Sequence, residues 1–397
     1  MGVRILAPIL LNSICRGYMS NPRVSNREKQ AVWDAYWARK PTRVPMMLAT
    51  NPRIILLNPK LNPQCISFET YFTSPEAAIE IQLDWQCYRS LVLAAYTDDP
   101  YGLPNEWNVG IDRQNVSESV FFGAPLVFRS DQVPDVKAYL DDDHRDEIFE
   151  IDIEHPLESG FYRECLDFRD KMAEAAAGRT VEGLPIRVNR YTPTGSDGPL
   201  TVAANIRGAA ALTDLVLDPD YAHRLFDRII RAAIYRVQAI CCYYQDETIG
   251  VGLADDSIQL ISTALYQKAL LPHHRLFFDT FFPDRPRSIH LCGDAQHHFR
   301  FLCDELNVRS IDTGFPIDFA KLRRDLGPEV EILGGPPVSI LLNGSTDAVY
   351  NTTRDILLSG IKEGGRFILK EANNLPPNVP EANLEAMYQA CLDYGTY

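Results

Sequence analysis

The sequence from residue 161 onward alternates between short apolar segments and helix-like segments, and this alternation limits the fold more than any other feature. Strands that alternate with helices pair in parallel, because each helix returns the chain to the starting edge of the sheet. About eight segments of strand length occur, near residues 45, 120, 200, 250, 288, 310, 332 and 368. Eight parallel strands close a barrel. The sequence therefore predicts an α/β protein, a single (β/α)8 TIM barrel with an N-terminal extension.

A doubly wound open sheet is the alternative arrangement, but no G-x-G-x-x-G motif opens a helix here, which favours the barrel. The predicted strands are Met46–Ala49, Val120–Phe128, Gly198–Asn205, Thr248–Ala254, Pro286–Cys292, Val308–Asp312, Val330–Gly335 and Arg366–Lys370. The predicted helices are Asn26–Arg39, Thr73–Tyr96, Phe161–Gly178, Asp218–Ala239, His297–Leu306, Asp318–Leu326 and Asp347–Gly360. Ser25, Ser74 and Asp218 are expected to be helix caps, because their side-chain oxygens accept hydrogen bonds from the first turn.

The first 24 residues differ from the rest of the chain. Ile5–Leu11 is apolar but short, and no small-residue cleavage site of the A-x-A kind follows it. A true start at Met19, or a disordered leader, is expected in preference to export. The sequence thus predicts residues 1–24 as a leader or disordered extension and residues 25–397 as the barrel.

The composition excludes several classes of partner. Lys and Arg number 39 against 53 Asp and Glu, which gives a formal net charge of −14. Binding to nucleic acid requires a basic surface, so no nucleic-acid partner is expected. No apolar run approaches the roughly 18 residues of a membrane-spanning helix, so no membrane association is expected. The nine scattered cysteines include no C-x-x-C pair, which indicates reduced thiols and a cytoplasmic location.

The segment Ser288–Gly293 carries the most specific chemical signal. If Ser288–Cys292 is a strand, side chains two residues apart lie on the same face. His290 and Cys292 would then point the same way, and an imidazole with a thiolate makes half of a zinc site.

Polar residues also follow the other predicted strands. In a (β/α)8 barrel the active site lies at the C-terminal ends of the strands. Buried polar groups are costly unless they are paired or used, so a polar barrel mouth indicates an active site. The alternative for any one aspartate is that it caps the next helix. These residues are Asn205, Asp255, Asp256, His290, Cys292, Asp312, Thr313, Glu371, Asn373 and Asn374, together with the turn Gly334–Pro337.

Three other pairs of neighbouring residues are given structural interpretations. His273 with His274, and His297 with His298, are predicted at the surface, because adjacent helical side chains point in different directions. Cys241 and Cys242 are predicted to pack in the core.

Several motifs of the second half, taken in order, resemble the uroporphyrinogen decarboxylase superfamily, which includes the corrinoid-dependent methyltransferases. The helix from Asn26 and Arg43–Pro45 resemble its N-terminus more weakly. The resemblance implies one (β/α)8 barrel. The motifs are Gly198–Gly208, Ala254–Ser257, Tyr266 with Leu271-Pro272, His290–Gly293, Asp312–Asp318, Leu333–Pro337, Gly344–Val349, Gly364–Leu369 and Leu375–Leu384.

The methyltransferase branch is the better match within that superfamily. True uroporphyrinogen decarboxylases carry an Arg-Gln-Ala-Gly-Arg loop after the first strand, whereas this chain reads Ala49-Thr-Asn-Pro-Arg-Ile54. One arginine, Arg53, cannot grip a polycarboxylate as a cationic cradle does. The branch's zinc ligands match His290 and Cys292, but its third ligand, a cysteine, aligns with Asn373.

That departure leaves two readings open. Carboxylate is a normal zinc ligand and a neutral amide is a poor one, so Glu371 is predicted as the third ligand. Asp255, Asp256 and Asp312 are candidates for a further ligand. The competing reading has no metal, with His290 acting as acid or base beside Asp312.

The resemblance implies a zinc-dependent methyltransferase that moves a methyl group between a small substrate, a methyl ether or a thiol, and a corrinoid (methylcobalamin) on a partner protein. The alternative is a metal-independent lyase that decarboxylates a smaller acid. The predicted catalytic residues are Asp255, Asp256, Asp312 and His290. The predicted substrate-binding residues are Asn205, Tyr266, Asn373 and Asn374, and the predicted metal ligands are His290, Cys292 and Glu371.

Overall fold

A computed structural model describes residues 22–246 and 250–397 of the chain. These residues form two compact units. Unit 1 comprises the described part of Met1–Gly110 together with Lys171–Asn189 and Asp318–Tyr397, and unit 2 comprises Ile111–Asp170 and the described part of Arg190–Ile317. Most of the predicted extension lies outside the described residues, so the division at residue 24 stays a prediction.

Short strands and longer helices make up the described chain. The strands are β1 Trp107–Val109, β2 Leu126–Val127, β3 Asp135–Val136, β4 Thr180–Val181, β5 Leu184–Val188, β6 Gly195–Ser196, β7 Gly252–Leu253, β8 Arg287–Leu291, β9 Val308–Thr313, β10 Glu331–Gly334 and β11 Phe367–Leu369. The α-helices are α1 Asn26–Trp37, α2 Arg53–Leu56, α3 Phe68–Thr73, α4 Pro75–Leu91, α5 Ser117–Phe121, α6 Gly160–Ala176, α7 Pro199–Arg207, α8 Ala210–Leu217, α9 Pro219–Tyr244, α10 Thr263–Ala269, α11 Leu271–Phe281, α12 Gln296–Leu306, α13 Phe319–Leu326, α14 Val338–Asn343, α15 Thr346–Leu358 and α16 Glu381–Tyr394. Short 3₁₀-helices occur at Leu93–Tyr96, Gln114–Val116, Glu147–Glu150, Asp256–Leu260 and Glu363–Gly365.

Unit 1 contains two groups of paired strands. β10 and β11 pair in parallel, and the chain at Met46 adds a parallel bridge to Leu369. Met47 donates its backbone N–H to the Leu369 carbonyl at 3.0 Å, which extends this pairing. β1 pairs in parallel with β5, and β4 pairs with β5 in the antiparallel direction. The predicted first strand is thus present as a bridge at Met46.

Unit 2 carries two parallel strand pairs that position the site. β8 and β9 pair with His290 opposite Asp312, and β6 and β7 pair with Ser196 opposite Leu253. β2 and β3 form a separate antiparallel pair. Within each parallel pair the two C-terminal ends lie at one edge, so the residues that follow the strands are brought together there.

Helix α9 packs its apolar face against α7 and α11 in unit 2. Phe226, Ile229, Ile230 and Ala233 are buried, and their spacing of three and four residues places them on one face of the helix. Complete burial of each large apolar side chain contributes about 1.5–3 kcal/mol relative to exposure. This face therefore holds α7, α9 and α11 together.

The helix starts follow the predicted capping chemistry. Ser25 accepts the backbone N–H of Glu28, whose carboxylate accepts the Ser25 N–H at 2.9 Å, so both halves of a capping box form. Ser74 accepts an N–H from the first turn of α4, and Asp218 does the same for α9. The three predicted caps are confirmed.

The predicted mixed α/β class is confirmed, and parallel pairing occurs in both units. Several strands of the described residues have only two or three residues, which is short for barrel strands. A single closed (β/α)8 barrel therefore stays a prediction.

The predicted strand Gly198–Asn205 is wrong, because these residues enter helix α7. Gly198 has a φ of +82°, and Pro199 occupies the first helical turn. Proline at that position is preorganised for a helix, and glycine adopts positive φ at little cost. The strand lies earlier, at Gly195–Ser196.

Two other strand predictions were too long. Val120–Phe128 is wrong over most of its length, because α5 ends at Phe121 and only Leu126–Val127 is a strand. Of the predicted strand Thr248–Ala254, Gly252–Leu253 is a strand, and Thr248 and Ile249 lie outside the described residues. Apolar runs of this length do not distinguish helix from strand.

The cysteines are only partly as predicted. Eight cysteines lie in the described residues, and none of these eight forms a disulfide bond. The prediction that Cys241 and Cys242 pack in the core is wrong for Cys242, which is exposed near the end of α9, while Cys241 is half-buried.

None of the helices in the described residues has an apolar stretch long enough to span a membrane. Helices α7 and α8 reach the required length and composition only when taken together, and they are bent by 114° at the break between them.

A buried ion pair joins distant parts of unit 1. Arg43 donates two hydrogen bonds to Asp98, at 2.9 and 2.6 Å, and the Asp98 side chain is completely buried. Asp98 also accepts the Met46 N–H at 2.8 Å and the Tyr388 hydroxyl at 2.9 Å. These bonds tie the bridge at Met46 to helix α16.

We expect Asp98→Asn to destabilise unit 1 by about 3–5 kcal/mol, because Arg43 would be left buried without a charged partner. Asp99→Asn is the control, since the Arg89–Asp99 pair is partly exposed and such pairs contribute at most about 1 kcal/mol. Denaturant unfolding of both variants measures the difference. Equal losses of stability would contradict the central role of Asp98.

Candidate functional site

Strand β8 places His290 beside an acidic side chain of the neighbouring strand. His290 lies opposite Asp312 of β9 in the parallel register. The His290 Nδ1 atom lies 2.7 Å from an Asp312 carboxylate oxygen. Because an ionised carboxylate only accepts hydrogen bonds, Nδ1 carries the proton of this bond.

The second nitrogen of His290 faces sulfur. Nε2 lies 3.0 Å from the Cys292 Sγ atom. The two side chains therefore lie on one side of the chain, as predicted. The side chains of His290 and Asp312 are 28% and 26% exposed, so both are within reach of a solute.

Asp256 completes a group of three different donors. It begins the 3₁₀-helix Asp256–Leu260, and its Oδ1 atom accepts the backbone N–H of Cys292 at 2.7 Å. One ligand-type atom from each of Asp256, His290 and Cys292 lies within 4.8 Å of the other two. The sequence placed Asp256 among the catalytic residues, and the structure places it beside the predicted ligands.

The chemistry of this group fits a zinc ion. Carboxylate oxygen, imidazole nitrogen and thiolate sulfur are the normal zinc ligands, and three protein ligands leave a position for substrate. Metal-binding histidines usually donate their other N–H to a carboxylate, which is the bond between His290 and Asp312. The Asp256, His290 and Cys292 side chains, with Asp312 behind His290, therefore suit a catalytic zinc site.

Asp255, the neighbour of Asp256, is completely buried. Its carboxylate accepts the backbone N–H groups of Leu200 and Thr201 at 3.2 and 2.8 Å and the Thr201 hydroxyl at 2.8 Å. It thereby caps helix α7, although α7 precedes it in the chain. Gly198 leaves no room for a side chain there, since an added Cβ would lie 2.3 Å from the Asp255 Cβ. Direct catalysis by Asp255 stays a prediction.

A buried hydrogen-bonded chain extends from Asp255. His274 donates from Nε2 to Asp255 at 2.9 Å and accepts the Tyr266 hydroxyl at Nδ1, at 3.0 Å. Burial, together with the charge of Asp255, raises the pKa of Tyr266 well above its usual value, which keeps its hydroxyl protonated. Tyr266 is 0% exposed, and its hydroxyl is hydrogen-bonded to His274. Its contact with substrate stays a prediction.

The prediction that the histidine pairs lie at the surface is wrong for three of the four residues. His273, His274 and His298 are buried, while His297 is exposed as predicted. Burial lowers the pKa of His298 to about 4. Helix α11 contacts α9, α10 and α12, so it buries side chains on more than one face.

The structure adds an acid that the sequence did not single out. Asp197 directly follows β6, and its backbone N–H donates to Glu118 at 2.6 Å. Glu118 also pairs with the buried guanidinium of Arg236 at 2.9 Å. Burial, followed by the charge of Glu118, raises the pKa of Asp197 to about 8. The sequence contains a signal for this position. A Gly-Pro pair marks a turn, so Gly198-Pro199 indicates that the strand ends just before it, at Asp197.

The remaining predicted residues occupy other positions. Asn205 lies within α7 and donates to the Ser119 hydroxyl at 3.3 Å. Glu371 is completely buried in unit 1 and accepts the Ala49 N–H at 2.9 Å. Asn373, with a φ of +101°, and Asn374 follow it in unit 1. The roles predicted for Asn205, Glu371, Asn373 and Asn374 stay predictions.

Comparison with known proteins identifies the family. The chain belongs to the uroporphyrinogen decarboxylase (URO-D) family, whose model matches residues 122–394. The methylated-thiol–coenzyme M methyltransferase of Methanosarcina mazei is 29% identical over 198 residues, which are 49% of this chain and 50% of that relative. The match thus spans half the length of the relative.

A solved structure shows the same fold. The structure described as a methyltransferase from Methanosarcina mazei superimposes with a TM-score of 0.60 at 15% identity, covering 94% of this chain and 99% of that chain. Both relatives are methyltransferases, so the predicted resemblance to the methyltransferase branch of the superfamily is confirmed.

We expect Asp197→Asn to raise the melting temperature at pH 7, by about 2 °C or more. The unfolded carboxyl loses its proton near pH 4 and the folded one near pH 8, so wild-type stability falls as the pH rises between these values. The amide does not titrate and should flatten that decline. Asp131→Asn, at an exposed position, is the control for loss of one charge. Parallel pH profiles for wild type and Asp197→Asn would refute the assignment.

Proposed function

We propose that this protein is a zinc-dependent methyltransferase that moves a methyl group between a small substrate, a methyl ether or a thiol, and a corrinoid carried on a partner protein. The observation that carries the proposal is the group of Asp256, His290 and Cys292, with Asp312 bonded to the far nitrogen of His290. The Methanosarcina relative is a methylated-thiol–coenzyme M methyltransferase, and this supports the same reaction class.

The metal would be held by Asp256, His290 and Cys292. When bound, zinc would supply Lewis acidity, either lowering the pKa of a thiol or polarising the oxygen of a methyl ether. Asp312 would keep the proton on Nδ1 of His290, so that Nε2 presents its lone pair toward Cys292. Asp256 would hold the Cys292 backbone through its Oδ1 atom.

A second set of residues would support the site without touching substrate. Asp255, His274 and Tyr266 form a completely buried hydrogen-bonded chain beside Asp256. The buried carboxylate also holds the first turn of α7, so it would fix the backbone from which Asp256 projects. Loss of this support is expected to lower stability together with activity.

The metal content of purified protein tests the proposal. We expect wild type to retain about one zinc per chain after dialysis, and His290→Ala, Cys292→Ser and Asp256→Asn to retain much less, because each removes one of three ligands. His297→Ala is the matched control at an exposed histidine. Glu371→Gln in the same assay decides whether Glu371, predicted from the sequence as the third ligand, takes part. Equally low zinc in wild type and His290→Ala would remove the basis of the proposal.

Methyl exchange with free methylcobalamin or methylcobinamide and a small thiol provides the functional test. We expect transfer by the zinc-loaded wild type and a loss of about 100-fold or more in His290→Ala, since even residues that only bond to a ligand typically change activity by about 10- to 100-fold. Release of carbon dioxide from a small acid, without zinc and without exchange, would instead identify the lyase alternative.

A further inference from the structure

The turn that carries Cys292 is held between two other segments of unit 2. On one side lies Gln259, whose Oε1 atom accepts the backbone N–H of Asp294 at 3.1 Å. A Cβ added to Gly293 would lie 1.8 Å from the same oxygen, so the amide group rests directly against the Gly293 backbone. Gly293 itself has a φ of +71°, a conformation that glycine adopts readily.

On the other side of the turn lies Gly314, just beyond the end of β9. A Cβ at Gly314 would lie 2.3 Å from the Gly293 nitrogen and 2.7 Å from the Cys292 Cα atom. No side chain fits in this space without movement of the backbone, so Gly314 lets β9 close over the turn. Cys292 and Gly293 are therefore confined from both sides.

The two acceptors that hold the turn come from one short element. Asp256 accepts the Cys292 N–H, and Gln259 accepts the Asp294 N–H, both from the 3₁₀-helix Asp256–Leu260. Side chains three residues apart in a 3₁₀-helix lie above one another, which explains how both reach the same turn. One element thus fixes the turn on both flanks of Gly293.

We propose that Gln259 is a positioning residue that sets the direction of the Cys292 thiolate relative to Asp256. This inference rests on the proposed metal site. Gln259 and Asp256 lie on one 3₁₀-helix, and both accept N–H groups of the turn. This helix therefore sets the position of Cys292 relative to the Asp256 carboxylate before a metal binds. Gln259 is not one of the proposed ligands. Outer partners of this kind typically change metal affinity by about 10- to 100-fold.

Metal affinity of three variants tests the inference. Gln259→Met keeps the length of the side chain and removes the acceptor, whereas Gln259→Glu keeps an acceptor oxygen. Leu260→Ala is the control, because its side chain is 63% exposed on the same element. Competition against a chromophoric chelator should show zinc binding weakened about tenfold or more in Gln259→Met, within about threefold of wild type in Gln259→Glu, and unchanged in Leu260→Ala.

The absorption spectrum of the cobalt(II)-substituted protein gives a readout that a general loss of stability does not move. We expect the thiolate-to-cobalt charge-transfer band to weaken or shift in Gln259→Met and to return in Gln259→Glu. Gly314→Ala, which presses on the same turn from the other side, should change the band in the same way. Gln259→Ala, which also removes the acceptor, replaces Gln259→Met if that variant does not fold.

The outcomes separate this inference from the proposed function. Wild-type affinity and an unchanged cobalt spectrum in Gln259→Met would overturn the positioning role while leaving the metal site intact. A wild-type protein that binds neither zinc nor cobalt would overturn the proposed function itself. Weakened binding in Leu260→Ala equal to that in Gln259→Met would also overturn the inference, because the effect would then belong to the whole element.

Discussion

The parallel register of β8 and β9 is the constraint on which the site depends. His290 and Asp312 meet because they are opposite each other in that register, and their bond leaves Nε2 directed at Cys292. A slip of one residue would bring an apolar neighbour, Ile289 or Leu291, to the position of the imidazole, since successive side chains point to opposite faces. The Nδ1 atom of His290 then loses Asp312 as its partner. The contact between His290 and Asp312 is thus set by the pairing of the two strands.

The second requirement is a polar layer beneath the site that has no contact with solvent. Asp255, His274 and Tyr266 are all completely buried, and a buried charge is tolerated only when it is paired and fully bonded. Asp255 meets this condition with four hydrogen bonds, two of them from the backbone at the start of α7. The same condition appears in unit 1, where four donor bonds surround Asp98. Each unit therefore contains a completely buried carboxylate that accepts four hydrogen bonds.

The features that could be predicted from the sequence are local ones. The strand period of two placed His290 and Cys292 on one side, and capping chemistry located three helix starts. The helix start after Gly198 was missed because an apolar run of this length fits either a strand or a helix. The burial of His274 depends on contacts of its helix with three other helices, and no local sequence pattern indicates these contacts. Asp256 joins the ligands through a bond to a turn 36 residues further along the chain, and such contacts are visible only in the folded protein.

The two adjacent aspartates, Asp255 and Asp256, differ in the kind of selection that would remove their substitutions from a library of variants. Asp255 is enclosed, bonded to the first turn of α7, and faces a glycine with no space for a Cβ. Asp256 is partly exposed and bonds to one backbone N–H. A library sorted only for soluble expression should therefore be depleted of changes at Asp255 and Gly198 while keeping many at Asp256. Sorting the same library for bound metal should deplete all three, so that the difference between the two maps separates folding from ligand binding one residue apart.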